Sequence, residues 1–407
     1  MLTFIHAADI HLDSPLHGLG TRADAPVDEI RGATRRALSN LVELAIEENV
    51  DFLLIAGDLY DGDWKDYGTG LTFVREMRRL DEKGIAVYLI SGNHDAESKT
   101  TKKLQLPDNV HVFPTRKPGS IDHSELPVTL HGQGFSHPSV TDDLSANYPE
   151  PAKDRFNIGL LHTSLAGDPE HDNYAPADLK SLVAKGYDYW ALGHIHLREL
   201  KHEFPHVAYS GNPQGRHIKE SGPKGCYLVK VDADLKLTDF EFRALDAVRW
   251  ELISIDTSDL ETQGELLGGI RQNLQNAFES TEGRLLATRI VLTGSCAFHQ
   301  EILANPQALE AECLSIAQGI DPELIWIERV AVKTRSRVDL QELAKRDDLT
   351  AMVLESLEKF EPDPTLPAIA ALHSKLAPEA IDSLKTSPSE MRDEVAAIVL
   401  QALETSH

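Results

Sequence analysis

The chain has 407 residues, 41% hydrophobic and 26% charged, and its 40 Lys+Arg against 65 Asp+Glu give a net charge of −25. That length supports two or three domains with a sizeable core, and the composition excludes a fibrous or disordered chain. The acidity argues against a wholly basic nucleic-acid binder and against docking on anionic lipid.

Five short apolar runs, at residues 3–7, 51–56, 86–90, 156–161 and 187–192, have the length and the β-branched or aromatic content of buried strands. Residues 27–49 carry apolar side chains at helical spacing (Ile30, Leu38, Leu41, Val42, Ala45, Ile46), and 71–83 forms a second helical stretch. Strand–helix–strand order predicts an α/β architecture with strands buried on both faces. Further strands are expected at 207–210, 225–231 and 237–243, in a second or mixed sheet. From residue 249 the pattern changes to strand 250–255, helix 261–278, strand 285–292, helix 307–316 and strand 324–332, a small α+β unit. Beyond Ser336 the chain reads as helical and acidic. There Leu349, Met352, Val353, Leu357 and Phe360 form an amphipathic face that packs on its own domain or on a partner. Boundaries are expected at 1–245, 246–338 and 339–407. Of the 18 histidines, 15 lie at or before His217, whereas residues 246–407 carry −14 of the net charge.

Cys226, Cys296 and Cys313 are too few, too odd and too dispersed for a disulfide framework, and no CxxC pair suggests zinc. The start, MLTFIHAADIH, lacks the basic region of a signal peptide. No apolar run approaches the roughly 18 residues of a membrane span. A reducing cytoplasmic compartment, away from membranes, is the expectation.

The chemistry sits at the ends of the front-half strands. The first runs into Asp9-Ile10-His11, the second into Gly57-Asp58, the third into Gly92-Asn93-His94-Asp95, the fourth into His162, and the fifth into Gly193-His194-Ile195-His196. In an open α/β sheet the carboxyl ends of the strands line the ligand crevice. One such histidine is ordinarily a satisfied structural residue, but five coincident clusters ask for another explanation. A carboxylate can bridge two cations, imidazole suits Mn, Fe, Zn or Ni, and an amide oxygen suits a hard cation. Glycines before Asp58, Asn93 and His194 allow sharp turns and close backbone approach. Two cations about 3.5–4 Å apart would clamp a phosphate and activate a water.

The motifs DIH, GDLYDGD, GNHD, the strand-end His162 and GHIH resemble, in order and spacing, the five motifs of the calcineurin-like metallophosphoesterases. The resemblance implies an α/β sandwich core of two mixed sheets flanked by helices, then a small α+β capping domain and C-terminal helices. It implies that Asp9, His11 and His196 hold one metal and Asn93, His162 and His194 the other, with Asp58 bridging. The ions would be divalent, Mn2+ first, with Fe2+, Zn2+ or Mg2+ as substitutes. His94 would protonate or orient the leaving oxygen, held in place by Asp95. HAADIHLDSPLHGL, GDLYDGD and YSGNPQGR are similar to the SbcD-type DNA repair exonuclease subunits, including the YhaO branch. That likeness implies a DNA substrate, an SMC-like ATPase partner docked on the C-terminal helices, and a homodimer formed by the phosphoesterase domain. No G-x-x-x-x-G-K-[ST] occurs, so ATP hydrolysis would come from another chain.

Three rivals remain: a phosphatase, a cyclic-nucleotide phosphodiesterase, or a non-catalytic scaffold for the ATPase. Against the phosphatase, GDxxDR has Gly62 in place of its Arg, and GNHE is GNHD. Against the scaffold, no ligand is missing. Lys99, Lys102 and Lys103, directly after GNHD, are candidates for DNA phosphates, or else a solvated helix start. Asn212 and Arg216 are candidates for phosphate or base contacts, although Gly211-Asn212-Pro213 is also plain turn chemistry. Trp190 and Trp250 are expected in the core.

Overall fold

The computed structural model describes residues 1–14, 26–61, 67–97, 105–165 and 174–337. In chain order its strands are β1 (Leu2–Ala7), β2 (Phe52–Ala56), β3 (Ala86–Ile90), β4 (Val110–Val112), β5 (Gly119–Asp122), β6 (Val128–Gly132), β7 (Phe156–His162), β8 (Tyr189–Gly193), β9 (Glu199–Glu203), β10 (His206–Tyr209), β11 (Gly225–Val231), β12 (Leu237–Ala244), β13 (Val248–Asp256), β14 (Leu285–Thr293), β15 (Ser295–Cys296), β16 (Ile325–Val332) and β17 (Arg335–Ser336). The helices are α1 (Val27–Arg31), α2 (Ala33–Glu47), α3 (Tyr67–Asp81), α4 (Asn93–Glu97), α5 (Leu179–Ala184), α6 (Gln263–Glu279), α7 (His299–Ala304) and α8 (Pro306–Ile320).

Two six-stranded sheets form the front of the chain. The first runs β12-β11-β1-β2-β3-β4, parallel from β1 to β4 and antiparallel across β11 and β12. The second runs β5-β6-β7-β8-β10-β9, parallel from β6 through β10 and antiparallel at both edges. These are the two mixed sheets that the motifs imply. Strand alternation builds the layers. Phe4, Phe52, Leu54 and Ile90 pack with Phe156, Ile158, Leu160 and Tyr189 in one apolar cluster drawn from both sheets. The alternate residues Ile5, Leu53, Ile55 and Leu89 join Leu38, Leu41, Phe73 and Met77 of α2 and α3. Leu161, Trp190 and Leu192 pack with Leu182 of α5 on the outer face of the second sheet. Burial of every residue of β2 explains its unbroken FLLIA run.

Contacts divide the chain into two compact units. One comprises Met1–Ile253, Leu274–Arg289 and Ala317–Arg329. The other holds Ser254–Asn273, Ile290–Ile316 and the described residues from 330 onward. In the second unit Leu266, Ile270, Ile290, Leu292, Ile302 and Cys313 are buried. The strands and helices expected between residues 249 and 332 are present, and β13, β14 and β16 form a three-stranded sheet in that order.

The helix expected over 27–49 is interrupted at Gly32, which ends α1 and starts α2. Strands β4, β5, β6, β9, β15 and β17 were not expected. β5 is polar and half-exposed, and β6 (VTLHG) is too short and mixed to stand out by period. Trp190 and Trp250 are buried, as are all three cysteines, which are unpaired. Among the described residues no helix is long and apolar enough to cross a membrane. The segment 339–407 and Lys99, Lys102 and Lys103 lie outside the described residues.

Candidate metal centre

The site forms where the chain leaves the strands in strained backbone. Asp9 (φ 52°), His11 (φ 44°), Asp58 (φ 49°) and His194 (φ 100°) all occupy positive φ without being glycine, at a cost of order 1–3 kcal/mol each. Asp and His are among the residue types that tolerate this region best. The loops after β1 and β2 hold each other there. Asp9 N–H donates to Gly57 O (3.0 Å), His11 N–H to Asp58 O (3.0 Å) and Leu12 N–H to Leu59 O (2.9 Å).

The glycines before the site residues serve two different needs. Gly57 has φ +95° and also no room for a Cβ, which would stand 2.3 Å from His162 Nδ1, whereas Gly92 and Gly193 are required by space alone. A Cβ on Gly92 would stand 2.2 Å from Asp58 Oδ1, and one on Gly193 would stand 1.9 Å from Ala56 O. Gly92→Ala is therefore expected to push the Asp58 carboxylate out of place. Metal content by atomic spectroscopy should fall while the far-UV spectrum is kept; normal metal loading would contradict the crowding argument.

Seven side chains meet at this edge. His162 Nδ1 donates to Ala56 O (3.0 Å), which leaves the Nε2 lone pair facing Asn93 Oδ1 (3.0 Å) and Asp58 Oδ2 (3.3 Å). Three acceptors meet there, and only positive charge satisfies them: a proton on Nε2 or a cation in its place. The proton is the ion-free solution. Burial works against it, but Asp58 and then Asp9 push His162 up to about 9. On the other side of Asp58, His11 Nε2 lies 3.9 Å from Oδ2 and faces His196 Nε2 at 3.1 Å. Burial holds His11 down at about 4, so it is neutral at physiological pH. Two imidazole nitrogens turned on one another beside a carboxylate suit a soft-to-borderline divalent ion. Asp9 accepts the His194 N–H on both oxygens (2.9 and 3.0 Å). Burial raises the Asp9 carboxyl. For Asp58 burial is outweighed by the neighbouring His162, His11 and His94, and the carboxyl is held well below the usual range.

Three groups could each hold an ion: Asp9, His11 and His196; His11, Asp58 and His94; and Asp58, His162 and His194. Within each, the ligand atoms lie within 4.8 Å of one another. Asp58 is shared by the second and third groups, and His11 by the first and second.

Asp95 corrects an expectation. Its carboxylate does not orient His94; it accepts the backbone N–H groups of Tyr60 (2.9 Å), Gly92 (2.9 Å) and Leu59 (3.2 Å). Burial, with Asp58 nearby, pushes it up to about 7. It clips the β2 and β3 loops together. The carboxylate beside His94 is Asp61, whose Oδ1 is 3.0 Å from His94 Nδ1. Asp61 also accepts from Ser14 Oγ (2.6 Å) and lies 3.6 Å from the Arg216 guanidinium. Burial would raise its carboxyl, but bonds from His11, His94 and Ser14 hold it far below the ordinary range.

Arg216 stands at this centre, with Nη1 3.3 Å from Ser14 Oγ and Nη2 3.3 Å from His196 Nδ1. Asn212 does not serve as a substrate contact. It is 1% exposed, and its amide donates to Gln214 O (2.7 Å) and Glu220 Oε2 (3.0 Å), bracing the loop. Two residues at the site were missed from sequence, Asp61 and Glu220. For Asp61 a signal existed in its place three residues after Asp58; for Glu220 there was none.

The calcineurin-like phosphoesterase profile matches residues 2–198, and a second profile, described as metallophosphoesterase YhaO, middle domain, matches residues 250–335. The chain belongs to the calcineurin-like phosphoesterases. Phosphoester hydrolysis with divalent metal ions is the chemistry of that family. The chain is similar to the uncharacterized metallophosphoesterase YhaO of Bacillus subtilis, 34% identical over 378 residues, or 88% of this chain and 90% of that one. It is also similar to the DNA double-strand break repair protein Mre11 of Saccharolobus solfataricus, 27% identical over 251 residues, covering 58% and 62% of the two chains. With Mre11 of Methanocaldococcus jannaschii the match is 23% over 362 residues, 80% of this chain and 93% of the other.

Proposed function

We propose that this chain is a two-metal phosphodiesterase acting on DNA, the nuclease subunit of a complex with an SMC-like ATPase. The observation that carries the metal chemistry is the meeting of His162 Nε2, Asn93 Oδ1 and Asp58 Oδ2, with His11 and His196 paired on the far side of Asp58. In this reading Asp9, His11 and His196 hold one ion, Asn93, His162 and His194 the other, and Asp58 bridges. Bound there, the ions would neutralise the scissile phosphate and activate a water for in-line attack. His94, with Nδ1 on Asp61, exchanges a proton through Nε2 with the leaving oxygen. Arg216 adds a cation for a phosphate oxygen. Similarity to the Mre11 proteins supports DNA as the substrate. The domains would be 1–245 for catalysis, 246–338 as a cap and 339–407 for ATPase docking.

The net charge of −25 fits a chain that relies on its metals and a basic partner to hold DNA, so binding by the chain alone should be weak and salt-sensitive. The test is a Mn2+ assay on three substrates: linear duplex DNA, a phosphodiester dye and a phosphomonoester dye. Cleavage of DNA and the diester is expected. Activity confined to the monoester would make the protein a phosphatase.

A further inference from the structure

Glu220 is not among the seven converging side chains, yet it touches one of them. It ends a short 3-10 turn, Ile218–Glu220, and is buried. Its Oε1 lies 2.7 Å from His196 Nδ1. Its Oε2 accepts the Arg216 backbone N–H (2.7 Å) and the Asn212 amide (3.0 Å), and the Arg216 guanidinium stands 3.4 Å from Oε1. An ionised carboxylate only accepts, and at 2.7 Å it outcompetes the Arg216 Nη2 donor, which lies 3.3 Å from the same Nδ1. His196 Nδ1 therefore donates to Glu220, and the lone pair is left on Nε2, the atom that faces His11.

We propose that Glu220 is the positioning residue that fixes the tautomer and ring plane of His196 for metal ligation, and that it seats Arg216 from the same carboxylate. The inference rests on the two-metal reading above.

The loop carrying Glu220 is built to hold it still. Gln214 donates from Nε2 to Val248 O (2.7 Å) and accepts at Oε1 from Ala247 N–H (2.8 Å), and Trp250 Nε1 donates to Gly215 O (3.0 Å). Lys224 Nζ donates to the carbonyl of His196 itself (3.0 Å). The histidine is thus held at its backbone by one residue of the loop and at its ring by another. Metal-ligating histidines commonly give their second nitrogen to such a carboxylate, and losing that partner costs about 10–100-fold in metal affinity.

Glu220→Gln is the informative substitution because it keeps the shape. Asn212 and the Arg216 N–H are both donors and select the amide oxygen at the Oε2 position. The amide NH2 then faces His196 Nδ1 and demands its lone pair, which moves the ring proton to Nε2 and blocks ligation. Long-range nitrogen–proton spectra of the metal-free protein should report His196 as Nδ1–H in the wild type and Nε2–H in the variant. Calorimetric titration with Mn2+ should show two sites in the wild type, and one of them weakened about 10–100-fold in the variant, the other unchanged. A wild-type His196 protonated on Nε2 would overturn the inference, and that measurement needs no variant. So would a variant that binds both ions as tightly as the wild type. Equal weakening of both sites together with a lower melting temperature would assign Glu220 to folding, which also overturns it. A wild-type protein that binds no divalent ion would instead sink the two-metal reading beneath it.

Discussion

Asp58→Ala is expected to leave the folded protein with neither of the two proposed ions. The carboxylate stands between His162 and His11, 3.3 and 3.9 Å from their Nε2 atoms. Its removal takes one donor and one negative charge from each proposed site at once. An outer partner of a ligand is worth about 10–100-fold in affinity, and a shared inner ligand should exceed that at both positions. The fold has less to lose. Asp58 Oδ1 caps the His94 N–H (2.9 Å), but the carboxylate is buried and its charge is costly to hold there. Once it is gone, His162 loses the neighbour that pushes it up to about 9 and can shed its proton. Asp58→Asn is the companion variant, since Asn also tolerates the left-handed backbone at φ 49°. Both variants should keep their far-UV spectra, bind no ion at micromolar Mn2+ and cleave nothing. Two ions retained at wild-type affinity would rule out the bridging role.

The same centre separates what the sequence could carry from what it could not. β2 is legible because a strand buried on both faces must be an unbroken apolar run, and FLLIA is one. The proposed ligand set is legible because each member lies at the end of its strand or within about four residues beyond it, so local order alone delivers it to the sheet edge. The glycines are legible as a need for closeness, and the crowding is found at Gly57, Gly92 and Gly193 alike; the positive φ of Gly57 is what the sequence leaves out. The partner of His94 is not legible. Asp95 is its neighbour in sequence, but both lie on α4, where consecutive residues point about 100° apart and do not face each other. The carboxylate that reaches His94 comes from 33 residues earlier, on another loop. Glu220 is hidden for a similar reason: its tie to His196 spans 24 residues and follows no helical or strand period. Asn212 misleads in the opposite sense, since polar turn residues look exposed until their NH2 groups are found donating inside the loop.

The Asp61–His94 pair can be tested by making the leaving group do the work of the histidine. If His94 donates a proton to the departing oxygen, its loss should matter most where that oxygen is a poor leaving group. On duplex DNA, His94→Ala is expected to cost about 10²–10⁴-fold in kcat. On a nitrophenyl phosphodiester the leaving phenolate needs little protonation, and the loss should shrink to within about tenfold, below the usual range for general acid catalysis. Metal content should be close to that of the wild type, because the proposed ligand set is complete without His94. Asp61→Asn should fall between the two. It keeps a hydrogen-bonding group 3.0 Å from Nδ1 but no longer requires Nδ1 to be the donor, so part of the population carries the proton on the wrong nitrogen. The Ser14 and Arg216 contacts of Asp61 predict a second effect, a rise in KM, since Arg216 loses a neighbour that helps to place it. Equal losses for His94→Ala on both substrates would remove the proton-donor role and leave His94 a stabiliser of charge on the phosphate. An Asp95→Asn variant with the larger kcat effect would return the orienting role to Asp95, against its three bonds to backbone amides.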